Sequence, residues 1–317
     1  MSTATSIFFY IFSFVAIWLG AGLIIKSVDK IAKKLRLSSF AVSFFILGIL
    51  TSIPEAAVSI NSLLDHKPEI FVGTLLGGTI VIFLLIIPIL AILGKGVRLN
   101  HDLDNKTLIS LLALIASPGL IIIDHKVTSL EGVLLIIFYA VIFYIIQKKH
   151  GVLEKNPSEI LTSKTYTFLD IAKVAFGIGI VFVSSQFIVS QTLRYAEILK
   201  ISAFYISLLV LSLGANLPEL SIAVSAIFSG KKEIAFGDYL GSAAANTLFF
   251  GVFTLLNDGQ VFTFNSFLIT FLFIVLGLSL FYYFSKSKKD ISREEGIALL
   301  CMYFGFVIYE TTKGMYH

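Results

Sequence analysis

The chain has 317 residues, of which 57% are hydrophobic and 14% charged, with a formal net charge of +4 and a mean hydropathy of +0.93. A soluble domain of this length has too little polar surface to cover so apolar a composition, so its outer surface must face lipid. The single cysteine, Cys301, excludes an intrachain disulfide and a cysteine-based metal cluster and reads as a packing residue. No basic patch interleaved with aromatics appears, which excludes nucleic acid as a partner.

A helix needs roughly 17 to 25 apolar residues to cross the hydrocarbon of a bilayer. Such stretches occur at 6–26, 39–63, 70–94, 107–123, 128–147, 167–190, 203–228, 234–256, 262–284 and 294–312. They predict an all-α integral membrane protein with ten transmembrane helices. The first stretch follows an uncharged stub without a basic segment or a small-residue cleavage site, so it reads as a retained span. The polar segment 151–166, which contains Pro157, reads as a linker between two halves, 1–150 and 167–317.

Ten spans place both termini on one side of the membrane. Loops after odd-numbered spans carry eighteen Lys and Arg residues, whereas loops after even-numbered spans carry only Lys67, Lys126, Arg194 and Lys200. The positive-inside rule then makes the odd loops, including 148–166, cytoplasmic and both termini extracellular.

Residues 36–60 (RLSSFAVSFFILGILTSIPEAAVSI) and 200–224 (KISAFYISLLVLSLGANLPELSIAV) align without a gap at an offset of 164. The offset pairs Ser38 with Ser202, Pro54 with Pro218 and Glu55 with Glu219. It continues through the next span, pairing Gly73 with Gly237 and Gly77 with Gly241. With five spans per half, the second half enters the membrane in the opposite sense. The chain is therefore expected to be two inverted five-helix repeats, a recurrent transporter plan whose ion site lies where the halves meet.

Glu55 and Glu219 lie deep within spans two and seven. A charge at the bilayer centre costs about 2.5 kcal/mol or more even on lenient insertion scales, and a bound cation supplies the compensation. Pro54 and Pro218 break the helix by removing the N–H that would serve the carbonyls of Leu50 and Gly214, which become candidate ligands. Thr51, one turn before Glu55, adds a hydroxyl on the same face, and Ser52 adds another. In span eight, Ser242 and Asn246 stand four residues apart. Hard cations such as Ca²⁺ take six to eight oxygens of these kinds.

With these residues in place, the sequence resembles the sodium/calcium exchanger family of the calcium/cation antiporters, in its prokaryotic ten-helix type. The likeness rests on TSIPEAAVS with GTLLGGTIVIF in the first half and ANLPELSIAVS with GDYLGSAAANTLF in the second. It implies a protein of a prokaryotic plasma membrane that exchanges Na⁺ for Ca²⁺ at a central cluster of sites, needing no cofactor and working as a monomer. Long spans one and six would slide across the core to switch access. Thr51, Ser52, Glu55, Pro218, Glu219, Ser242 and Asn246 match the family's positions. Gly78 and Ile82 stand where the family usually carries Ser and Asn, Ala215 and Asn216 replace a Thr-Ser pair, and many relatives have Asp at position 246.

Several side-chain oxygens are thus missing while the glutamate pair remains. The charge of that pair equals that of one Ca²⁺ or two Na⁺, so fewer than the family's usual three sodium ions per calcium, or H⁺ in place of Na⁺, is the expectation. A Ca²⁺/H⁺ antiporter of the same superfamily stays open as an alternative, as does a degenerate exchanger that binds ions without moving them. An intramembrane enzyme built on paired acids is disfavoured, because no D-x-x-x-D, H-E-x-x-H or G-x-S-x-G motif occurs. Asp238 reads as a carboxylate favoured by the dipole at the start of span eight, or as part of the ion path. Glu310 and Asp170, near span ends, read as solvated or paired.

Overall fold

The computed structural model describes residues 3–34, 42–94, 96–98, 103–150, 168–229, 232–262, 267–287 and 290–314. The linker 151–166, Arg36, Ser38 and several loop lysines counted above lie outside them. The ten expected spans are all present. Span one is Thr3–Lys34 and span six Phe168–Leu199. Span four is Asn105–Ile121 and span five Ser129–His150. Span eight is Lys232–Leu256, span nine Leu268–Ser287 and span ten Arg293–Gly314.

Three spans are built from pieces. Span two joins Val42–Leu47, Gly48–Thr51 and Ile53–Leu64. Span three joins Pro68–Val81, Ile82–Ile86 and Ile87–Leu93. Span seven joins Ala203–Ile206, Ser207–Leu211 and Ser212–Ala215, followed by Leu217–Ser229. Among the described residues, nine of the ten spans are long and apolar enough to cross a membrane, counting bent span two as one. Span ten falls short because Glu294, Glu295 and Glu310 lower its hydropathy.

The pieces have local causes. Pro88 cannot donate to the carbonyl one turn back, and the chain widens to a π-type turn over Ile82–Ile86 that ends with Ile87 N–H on the Ile82 carbonyl. Similar wide turns occupy Val42–Leu47 and Ser207–Leu211, at the offset of the sequence repeat. Span two bends by 44° at its break. The residue at that break is Ser52 (φ −82°, ψ 6°), and its counterpart in span seven is Asn216 (φ −85°, ψ 15°). Each is followed by the proline at the second position of the next helix, where a missing N–H costs nothing.

Two small sheets show that the repeat is inverted. Strand β1 (Val97–Arg98) pairs with β4 (Asp290–Ile291), and β2 (Lys126–Thr128) pairs with β3 (Gln260–Phe262), both antiparallel. Val97 faces Ile291; adding 164 to the first and subtracting it from the second gives Val261 and Val127, which face each other in the other sheet. One sheet is the image of the other. Span four separates β1 from β2, so the sheets lie at its opposite ends, and equivalent loops of the two halves lie at opposite ends too.

The halves interlock through small residues. A methyl group on Gly48 would lie 2.6 Å from the Cα of Gly241, so spans two and eight touch backbone to backbone. At Gly77 a methyl would press on the Leu208 carbonyl, and at Gly241 on that of Phe44, which are again equivalent contacts. Only glycine permits such approach. Spans three and eight are deeply buried and carry the main apolar core with Phe71, Phe83 and Phe250.

Spans one and six stand apart from that core. Each has 32 residues, about 48 Å of helix, longer than the roughly 30 Å of a hydrocarbon layer. They pack on each other at Gly20, whose Cα faces the Gly177 carbonyl and Val181. A separate cluster that includes Tyr10, Ile17, Ile188 and Val189 joins them to the rest. Cys301 is exposed, which corrects its reading as a packed residue, because its face of span ten turns outward. Glu310 is fully buried and accepts a hydrogen bond from Thr270 at 2.8 Å; of the two readings offered for it, pairing holds and solvation does not. The side chain of Asp170 lies outside the described residues.

Candidate ion-binding site

The two helix breaks and the two glycine contacts bring four spans together at the middle of the molecule. Glu55 and Glu219 each lie in the first turn of the helix after a break, where unsatisfied N–H groups favour negative charge. Both are fully buried. Neither Glu55 oxygen has a hydrogen-bond partner, and the same holds for Oε2 of Glu219. Buried acceptors without donors are costly, and these oxygens are left for a ligand.

Hydroxyls connect the halves. Ser242 Oγ donates to Glu219 Oε1 at 2.8 Å. The Ser52 and Ser242 hydroxyl oxygens are 2.8 Å apart, and Ser52 Oγ also lies 2.9 Å from the Gly48 carbonyl. Thr51 Oγ1 lies 3.0 Å from the Leu47 carbonyl and 3.1 Å from Asp238 Oδ1. Thr51, Ser52 and Ser242 are fully buried. The carboxyl groups of Glu55, Glu219 and Asp238 are within electrostatic reach of one another.

Asp238 is the residue for which the sequence left two readings open. It lies in the second turn of Lys232–Leu256 and is fully buried, beyond the first turn where the helix dipole acts most strongly, which favours the ion-path reading of the two. Its Oδ2 has no partner. Two signals in the sequence pointed to it: Asp238, Ser242 and Asn246 fall at four-residue intervals on one helix face, and register pairs Asp238 with Thr74 in the other half.

Among the remaining candidates, the amide group of Asn246 has no partner on either atom, and Asn216 Oδ1 has none. Asn216 Nδ2 donates to the Ser212 carbonyl at 2.8 Å. The Leu50 carbonyl accepts from Ser52 N–H, and that of Gly214 from Asn216 N–H, so each break supplies a turn bond in place of the one the proline removes and keeps a second lone pair free.

The departed positions have a structural counterpart. A Cβ on Gly78 would lie 2.9 Å from Asn246 Nδ2 and 3.1 Å from Asn216 Nδ2. The two asparagine amides therefore use the room that a side chain on span three would take. Ile82 and Ala215 are buried and apolar and add no oxygen. Among the described residues, no three His, Cys, Asp or Glu side chains are grouped to hold one metal ion. Any cation here depends on hydroxyl, amide and carbonyl oxygens alongside the carboxylates.

Two inverted five-helix repeats, broken at symmetric prolines and enclosing unpaired buried carboxylates, define a membrane transporter of cations. The family model described as "Sodium/calcium exchanger protein" matches residues 5–147 and 170–312, one stretch in each half. The chain belongs to the sodium/calcium exchanger family, whose members are cation antiporters and not enzymes. It is 26% identical to the putative antiporter CaxA of Alkalimonas amylolytica, over 92% of this chain and 93% of that one. It is 24% identical to the sodium/calcium exchanger MaX1 of Methanosarcina acetivorans, over 91% and 93%, and 25% identical to the inner membrane protein YrbG of Escherichia coli, over 76% and 79%. The fold matches that of the sodium-calcium exchanger NCX_Mj soaked with Na⁺ and Sr²⁺, with a TM-score of 0.71 at 21% identity, over 97% of this chain and 99% of that one.

Proposed function

We propose that this protein exchanges Na⁺ for Ca²⁺ by alternating access, with Glu55 and Glu219 as the two charged ligands. The observation that carries this reading is the pair of fully buried glutamates from oppositely oriented halves, three of whose four carboxyl oxygens have no donor. Thr51, Ser52, Ser242, Asn246 and Asn216 add neutral oxygens, and the carbonyls of Leu50 and Gly214 complete the set. Two ionised glutamates balance one Ca²⁺ or two Na⁺, so the pair favours fewer than three sodium ions per calcium. The 18-to-4 lysine and arginine bias favours extracellular termini and a cytoplasmic 148–166 loop.

Proteoliposomes loaded with Na⁺ and diluted into Na⁺-free medium with radiolabelled Ca²⁺ test the reading. Uptake is expected to require the outward Na⁺ gradient and to vanish in Glu55→Gln and in Glu219→Gln. Uptake driven by a pH gradient with no sodium present would replace Na⁺ by H⁺ as the counter-ion. Gly78, Ile82 and Ala215, which supply no side-chain oxygen, favour that second reading. Ca²⁺ flux unaffected by both substitutions would defeat the assignment of the site.

A further inference from the structure

We infer that a cavity beside span ten binds lipophilic organic cations of the tetraalkylammonium kind, apart from the inorganic ions of the glutamate site. The inference goes beyond the exchange reading and does not depend on it. Among the described residues, a cavity of about 560 Å³ lies where spans one and six meet spans seven and ten. That volume suits one small organic molecule. None of the candidate ligands of the glutamate site is among its lining residues.

Four of the lining residues are tyrosines, one from each span. Tyr10 and Tyr195 pack edge to face with ring centroids 5.3 Å apart, and Tyr205 and Tyr303 come from spans seven and ten. An aromatic face attracts a cation through its quadrupole, more strongly where water is excluded. The Tyr10 hydroxyl is engaged by Thr192 at 2.9 Å. That of Tyr195 is buried with no hydrogen-bond partner, so its oxygen is available to positive charge.

The negative charge comes from Glu310, which lines the cavity and is fully buried, its Oε1 accepting from Thr270. Tyr205 lies within its electrostatic reach. No Lys, Arg or His accompanies Glu310 in the described lining, so the cavity selects against anions. A carboxylate in apolar surroundings is weakly screened and acts across the cavity without direct contact. The walls are otherwise almost wholly apolar and cannot replace the hydration shell of Na⁺ or Ca²⁺. A cation clothed in alkyl arms satisfies both the charge and the walls. Leu213 and Phe304 line the cavity and are also exposed on membrane spans, so the mouth opens toward lipid and such a ligand enters from there.

The test is thermal unfolding and equilibrium dialysis of the detergent-purified full chain with tetrabutylammonium. Tetramethylammonium has the charge without the long apolar arms, and tributyl phosphate has butyl arms without the charge. The wild type should be stabilised by tetrabutylammonium more than by either control, and saturating Ca²⁺ should leave its affinity unchanged. Glu310→Gln, which keeps an oxygen for Thr270, should bind it about tenfold or more weakly, the scale of a desolvated charge pair. If that variant does not fold, Tyr303→Leu, which removes one ring from the lining, should weaken tetrabutylammonium binding and spare tributyl phosphate. The site is disproved if the wild type does not prefer tetrabutylammonium, or if folded Glu310→Gln or Tyr303→Leu binds it as the wild type does. Displacement by Ca²⁺ or Na⁺ would also overturn it, by placing the ammonium ion at the glutamates. Equal binding of tributyl phosphate and tetrabutylammonium would mean that the cavity takes any apolar chain, a lipid tail included, and would defeat the assignment to cations.

Discussion

The hydroxyl oxygens of Ser52 and Ser242 lie 2.8 Å apart, joining the break in span two of one half to the middle of span eight of the other. Ser242 in turn donates to Glu219, so the first half positions the acid of the second. This link crosses the internal symmetry, because Gly78 is the register partner of Ser242 and has no hydroxyl to return the contact. The glutamates are consequently inequivalent: Glu219 has a donor, while neither oxygen of Glu55 has one.

Ser242→Ala removes that donor. The apparent Ca²⁺ affinity in proteoliposome uptake should fall by about tenfold to a hundredfold, the worth of a hydrogen bond to a charged group. Ser52→Ala leaves the bond to Glu219 intact and should cost less. An equal loss in both variants would show that the two hydroxyl oxygens as ligands, and not the bond from Ser242 to Glu219, set the affinity.

Gly78→Ser supplies the hydroxyl missing from span three. Its Cβ would meet Asn246 Nδ2 at 2.9 Å and Asn216 Nδ2 at 3.1 Å, and both amides sit on rotatable side chains that can turn aside. The variant should fold and should show a steeper dependence of Ca²⁺ efflux on Na⁺. An unchanged Na⁺ dependence in the folded variant would mean that position 78 does not contribute to the sodium site.

Gly77→Ala and Gly241→Ala press a methyl on the carbonyls of Leu208 and Phe44. Backbone atoms cannot move aside as a side chain would. Each variant should lose about 1–3 kcal/mol, the usual cost of overpacking, and the two losses should be similar because the contacts are images of each other. Gly22 is the control, since a methyl added there would meet nothing within 4 Å. Gly22→Ala should be neutral or slightly stabilising in unfolding assays.

Thr270→Val takes from Glu310 the hydrogen bond it accepts at 2.8 Å, at a buried position linking spans nine and ten. Stability should fall by about 1–3 kcal/mol, with the Na⁺ dependence of Ca²⁺ uptake unchanged. A shift in ion dependence would extend the ion path as far as span ten.

Much of the architecture was readable along the chain. Apolar run lengths marked all ten spans, since a bilayer imposes one length on every crossing helix. The 164-residue offset foretold symmetric breaks at Pro54 and Pro218, because a proline removes the same N–H wherever it stands. The isolated acids Glu55 and Glu219 stood out as candidates for the same energetic reason that makes them rare.

Sequence alone thus determined the membrane plan, the inversion and the depth of the two glutamates within their spans, all properties of single segments or of their repetition. Which loops pair into sheets, which hydroxyl serves which carboxylate and how deeply Asp238 is buried were decided by tertiary structure. Those depend on the separation of spans two and eight, set by glycines at 48 and 241 that bring the backbones into contact. A helix face visible in one segment does not reveal what lies opposite it. Asp238 could therefore be read either as a helix-end carboxylate or as part of the ion path, and only the fold placed Thr51 of span two against it.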